Sequence, residues 1–168
     1  MEELKAAPIT IGAGAGDGPS LSIVGDTYRI VITGEQTGGA YAAIDMLIPH
    51  NGGPGPHSHA KFQESFYVIE GEIEFKSEAS TYTAKKGSFV DIPLGGIVHE
   101  FKNKADKTAH LLCFVVPAGL EEFFMEIGKP VSPGAFLPPP QMDTNAQKKL
   151  QEIAGKYGQK VYPPDYLG

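Results

Sequence analysis

The residues with the clearest chemistry are His57, His59 and Glu64. They lie in the stretch Gly55-Pro56-His57-Ser58-His59-Ala60-Lys61-Phe62-Gln63-Glu64, which Gly71 closes. Side chains alternate along a strand, so His57 and His59 project to one face. A carboxylate follows five positions after the second histidine. Two imidazoles and a nearby carboxylate make a donor set suited to a divalent transition metal. Such a set needs a further ligand and a cavity around it. In His99-Glu100-Phe101-Lys102-Asn103 the charged Glu100 and Lys102 belong to solvent. His99 and Phe101 therefore face the interior, which points a third histidine inward.

The elements that must hold these residues are short. Glycine, proline and asparagine break the chain into apolar runs that predict strands over 9–11, 21–24, 28–33 and 40–48. After the loop 49–56 come the two histidines. Further strands are predicted over 62–69, 72–76, 81–84, 88–92, 99–103 and 108–116, with Ile73 and Phe75 inward. Past Pro117 the period changes to helical over 119–127, with Leu120, Phe123, Phe124 and Ile127 on one side. A proline-rich linker spans 130–140. A second helix is predicted over 144–157, with Thr144 as its N-cap and Gly158 just past its end. The tail 161–168 reads as irregular. Many short strands followed by two helices predict an all-β barrel or sandwich with a C-terminal helical extension.

A chain of 168 residues fits one domain and can bury a substantial core. The 21 glycines and 14 prolines, scattered through apolar runs, read as turns rather than disorder. A net charge of -6 without a Lys/Arg cluster gives no reason to expect nucleic acid or an anionic membrane as partner. The lone Cys113 excludes an internal disulfide and suits a reducing cytoplasm, the expected location. No apolar run reaches the roughly 18 residues of a membrane-spanning helix. The N-terminus Met1-Glu2-Glu3-Leu4-Lys5 does not read as a secretory signal. The glycine-rich 12–18 resembles a dinucleotide loop, but Pro19 and Ser20-Leu21-Ser22-Ile23-Val24 follow where a helix should open.

Taken together, the motifs resemble those of the cupins. The first cupin pattern stands here as His57-Ser58-His59, four residues, Glu64, six residues, Gly71. The second stands as Gly87, five residues, Pro93-Leu94-Gly95, then His99 and Asn103. His99 falls three residues after Gly95 instead of two, an extra loop residue that Pro93-Leu94-Gly95-Gly96 can absorb. The surrounding composition is similar to that of quercetin-dioxygenase-like single-domain cupins.

The resemblance implies a jelly-roll β-barrel: N-terminal strands over 1–36 completing the barrel or a dimer, a barrel core over 37–118, and C-terminal helices and linker over 119–168. It also implies one metal held by His57, His59, Glu64 and His99. Mixed nitrogen and oxygen ligands with open positions suit Fe, Mn, Ni, Co, Cu or Zn alike. The implied activity is a metal-dependent dioxygenase of quercetinase type acting on a small apolar or aromatic hydroxyl or enol substrate, with Glu64 taking the proton. The same ligands would serve a cupin isomerase, lyase or decarboxylase, or a metal- or small-molecule-binding module without catalysis. Phe66, Phe75 and Phe101 are the expected apolar lining of the cavity. Cys113 reads as a small buried hydrophobe, and His50 and His110 as a loop and a strand residue outside the site. A homodimer is expected.

Overall fold

The computed structural model describes residues 6–13 and 17–168. Two antiparallel sheets face each other, as alternating apolar strands require when each buries one face. The larger sheet runs β11 (Lys129–Pro130), β1 (Ser20–Ile23), β2 (Asp26–Ile32), β3 (Ala42–Ile48), β10 (Ala109–Val116), β5 (Gln63–Glu70), β8 (Phe89–Ile92). The smaller runs β12 (Gln159–Val161), β4 (His57–His59), β9 (His99–Lys102), β6 (Glu72–Ser77), β7 (Thr81–Lys85). This is the expected all-β jelly roll. Strands pair within each sheet, and among the described residues no pairing closes the two sheets into one continuous barrel.

The period-2 pattern sets the inner faces. Glu64, Phe66 and Val68 of β5 are buried between exposed or half-buried neighbours, as are Leu111, Cys113 and Val115 of β10. Ile73 and Phe75 point inward from β6, and His99 and Phe101 from β9. Phe66, Phe75 and Phe101 meet across the interior with ring centroids 5.1, 5.1 and 5.3 Å apart, in tilted or edge arrangements that suit aromatic quadrupoles.

Two helices lie beyond β10, with β11 between them and β12 after the second. α2 (Leu120–Ile127) buries Leu120, Phe123 and Phe124. Its Glu121 is also buried, accepting hydrogen bonds from the backbone N–H groups of Gly34 and Gly119, both at 2.7 Å. α3 (Thr144–Lys156) is capped by Asp143, whose carboxylate accepts from the Ala146 N–H at 2.8 Å. Asp143 therefore replaces Thr144 as the cap: one residue earlier, a carboxylate reaches the third N–H of the helix.

Other expectations are also corrected. Residues 9–11 form no strand; Ile9 is 52% exposed and lacks a sheet neighbour to bury it. A short α1 (Gly34–Thr37) ends the strand predicted to Thr33, driven by a capping box between Thr33 and Gln36. Val161, read as the start of an irregular tail, instead ends a strand, Gln159–Val161, paired with His57–His59. Of the glycine-rich 12–18, residues 14–16 lie outside the described residues, as does the N-terminal 1–5. The flanking carbonyls of Gly12 and Asp17 accept hydrogen bonds from the Arg29 guanidinium.

Asn103 ties the loops beneath the histidines. Its Nδ2 donates to the carbonyls of Ile48 at 2.8 Å and Lys107 at 2.7 Å, and its Oδ1 accepts from the Ala105 N–H at 2.9 Å. Its backbone exchanges hydrogen bonds with Asn51 and Gly52. This seats Gly53 against β9 so closely that an added Cβ would lie 2.0 Å from the Phe101 carbonyl oxygen. Asn103→Ala orphans buried backbone groups, and we expect it to cost about 2–4 kcal/mol in urea unfolding. An unchanged midpoint would contradict that role.

Candidate metal centre

His57 and His59 occupy the two inward positions of β4, and both are buried. β4 pairs with β9 so that His57 stands opposite His99. The three imidazoles converge, with ring centroids 4.3 Å apart for His57–His99, 4.8 Å for His59–His99 and 5.9 Å for His57–His59. Glu64 comes from the other sheet, on the inward face of β5. The four side chains offer ligand atoms that all lie within 4.8 Å of one another. The extra loop residue before His99 is absorbed at Gly95 and Gly96. Both adopt positive φ, 115° and 85°, which side-chain-bearing residues rarely tolerate.

Each histidine is held the same way. Nδ1 donates to a backbone carbonyl nearby in sequence: His57 to Gly55 at 2.9 Å, His59 to Phe62 at 3.0 Å and His99 to Ile97 at 3.0 Å. A carbonyl only accepts, so each Nδ1 carries the hydrogen and each neutral ring presents its Nε2 lone pair. The His59 Nε2 lies 3.1 Å from Glu64 Oε2 and the His99 Nε2 4.0 Å from the same oxygen. Lone pairs converging on a carboxylate need a proton or a cation between them. The His99 Nε2 is buried without any hydrogen-bond partner. That orphaned atom and the three-imidazole, one-carboxylate donor set fit a divalent metal ion.

Burial holds His57 and His99 at pKa values of about 4, so both imidazoles are neutral at pH 7. The Cys113 thiol donates to Glu64 Oε1 at 3.4 Å. Burial pushes that thiol's pKa well up, with the charge of Glu64 adding to the effect, so it remains a donor. Cys113 is thus in contact with the site as well as packed in the core. Its inward parity with Leu111 and Val115 on β10 was the available signal.

The cluster opens on a cavity of about 190 Å³, lined by His57, Glu64 and Phe101 and closed by Leu120, Phe123 and Phe124 of α2. A second cavity, of about 130 Å³, is lined by His99 and Phe75 on another side. Phe66 lines neither and packs in the core. His50 is exposed, with Nδ1 donating to the Ala105 carbonyl. His110 pairs with Asp45 away from the cluster. Asp26 and Tyr28, which sequence reasoning passed over, also line the larger cavity. The Tyr28 hydroxyl donates to Asp26 Oδ2 at 3.0 Å, and burial lifts the Asp26 carboxyl to about 7. Their two-residue spacing on one strand was the only hint.

Residues 44–115 match the family model of the cupin domain. The chain is 27% identical to a quercetin 2,3-dioxygenase of Aspergillus japonicus over 108 residues, covering 60% of this chain and 30% of that protein. It is 26% identical to a quercetin 2,3-dioxygenase of Bacillus subtilis (strain 168) over 137 residues, covering 81% of this chain and 39% of that protein. The chain therefore spans well under half the length of these relatives. A crystal structure of a predicted oxalate decarboxylase from Thermotoga maritima superposes with a TM-score of 0.56 at 16% identity, over 65% of this chain and 99% of that one, a likeness of fold alone. Residues 44–115 thus carry a cupin domain, and the chain resembles quercetinase-like cupins.

The histidine environment makes stability pH-dependent. His57 and His99 sit at about 4 when folded, below the 6.5 of the ordinary imidazole. As pH falls through that window the unfolded chain takes up protons that the folded chain refuses. Metal-free protein should be flat in stability from pH 7 upward with respect to these groups. It should lose on the order of 3 kcal/mol per histidine between about pH 6.5 and 4. Urea titrations at stepped pH measure this, and His99→Phe should reduce the slope.

Proposed function

We propose that this cupin is a metal-dependent oxygenase of the quercetinase type, acting on a small apolar or aromatic molecule that carries a hydroxyl or enol group. The observation that carries the reading is a buried three-histidine, one-glutamate cluster whose unsatisfied His99 Nε2 calls for a cation, set against a mostly apolar cavity. His57, His59, Glu64 and His99 would hold the ion. A divalent transition metal there supplies Lewis acidity toward a substrate oxygen and a centre at which dioxygen chemistry can occur.

The remaining work belongs to side chains of this protein. Glu64 is placed to accept the proton of a substrate hydroxyl at its carboxylate, and the Cys113 thiol keeps Oε1 oriented while it does so. The Nδ1 clamps keep the histidine rings from turning. Leu120, Phe123 and Phe124 exclude water and give an aromatic ligand apolar contact. None of the described residues lining the larger cavity is Lys or Arg. A sugar phosphate or a dicarboxylate would find no cationic side chain there, which favours an oxygenase of uncharged aromatic substrates over an isomerase or decarboxylase of anionic ones.

Two measurements test the reading. Protein loaded in turn with Fe, Mn, Ni, Co, Cu and Zn should consume oxygen in the presence of quercetin with at least one of them; no uptake with any metal sinks the oxygenase. Elemental analysis should find about one metal ion per chain, and His59→Ala should weaken retention at least about tenfold. Unchanged metal content in that variant would overturn the ligand set.

A homodimer belongs to the same proposal. Tyr67 and Phe89 are cross-strand partners on the outer face of the larger sheet, 43% and 60% exposed. Light scattering should give twice the chain mass, and Phe89→Asp should give the monomer. A monomeric wild-type protein would discard this part.

A further inference from the structure

Among the described residues, two buried side-chain nitrogens lack a hydrogen-bond partner: His99 Nε2 and Gln159 Nε2. The first faces the metal cluster. The second belongs to β12, a three-residue strand beyond α3 and outside the 44–115 cupin match. In the antiparallel register Gln159 lies opposite His59, and Val161 opposite His57. Residues opposite one another in a ladder share a face, so the Gln159 side chain stands on the inward face that carries the histidines. It lines the same cavity as His57 and Glu64.

The other polar groups of that cavity are engaged. Asp26 accepts from the Tyr28 hydroxyl and the Gly53 N–H. Glu64 accepts from the Cys113 thiol and faces His59 Nε2 across the proposed ion position, and His57 Nδ1 donates to Gly55. The Gln159 amide is the donor left over. A buried donor without an acceptor destabilises the folded chain, and such a group is kept where a ligand completes it.

We infer that Gln159 is a ligand-binding residue: its amide N–H donates to an oxygen acceptor of an apolar ligand whose hydroxyl lies toward the metal centre. The inference rests on the substrate class proposed above and extends it. The ligand carries a second oxygen, a carbonyl or ether, on the side facing β12. The reach of the site thus depends on the C-terminal segment as well as on the barrel strands. The amide can complete an uncharged acceptor by itself, whereas a buried anion would lack a cationic side chain among the described lining residues.

The test is anaerobic titration of zinc-loaded protein with quercetin, followed by the ligand's own absorbance, for wild type, Gln159→Leu and Gln159→Met. Both variants should bind quercetin about tenfold more weakly. Metal content should match wild type, and the ligand-free melting temperature should be equal or higher because an unsatisfied donor has gone. Wild-type affinity in the variants overturns the inference. So does a fall in melting temperature with metal lost in proportion to affinity, which would mark a structural residue, and so does wild-type protein that binds no quercetin. Oxygen uptake is a separate reading: binding that depends on Gln159 without uptake would sink the oxygenase and leave the ligand contact standing.

Discussion

The structure depends on three hydrogen bonds of one kind. Gly55, Phe62 and Ile97 each offer a backbone carbonyl to the Nδ1–H of a histidine two or three residues away. Those bonds fix the tautomer and turn each ring so that Nε2 points into the gap between the sheets. The fourth group, Glu64, arrives from the opposite sheet. The site therefore exists only when the sheets pack, and packing brings four polar side chains into a space that burial alone would make unfavourable. The aromatic cluster of Phe66, Phe75 and Phe101 supplies apolar burial beside it.

Around that constraint the chain divides its labour. The barrel strands carry the candidate ligands, and loops pinned by Asn103 and by the paired glycines 95 and 96 deliver β4 and β9 in register. Much of the wall comes from elsewhere. Asp26 and Tyr28 stand on β2, before the cupin match, while α2, α3 and β12 follow it. Shape and polarity of the cavity thus depend also on segments outside the region that holds the candidate metal ligands. This is the physical form of one fold serving many chemistries: the donor set stays and the wall changes.

How much was legible depends on the range of the interactions. The inward parity of His99 and Phe101 followed from Glu100 and Lys102, and the apolar stripe of α2 followed from its 3.6 period. Both are local patterns. Cys113 read as a small hydrophobe because its strand is apolar; its contact with Glu64, 49 positions away, has no local signature. Asp26 fell between the strands predicted over 21–24 and 28–33, and nothing local placed it in the cavity. Gln159-Lys160-Val161 was too short to read as a strand, since its stability comes from hydrogen bonds to β4, about a hundred residues earlier.

The sequence by itself determined the donor set and its facing. His57 and His59 share a face because strand side chains alternate, and His99 joins them by the same rule. Only tertiary structure decided that Glu64 closes the set from the other sheet, that His99 Nε2 is left without a partner, and that the C-terminal strand lays Gln159 beside the histidines. Alternation is a property of adjacent residues and can be read along the chain. Convergence, burial and an unsatisfied atom are properties of space between segments, and they come into being only when the sheets and the C-terminal extension pack together.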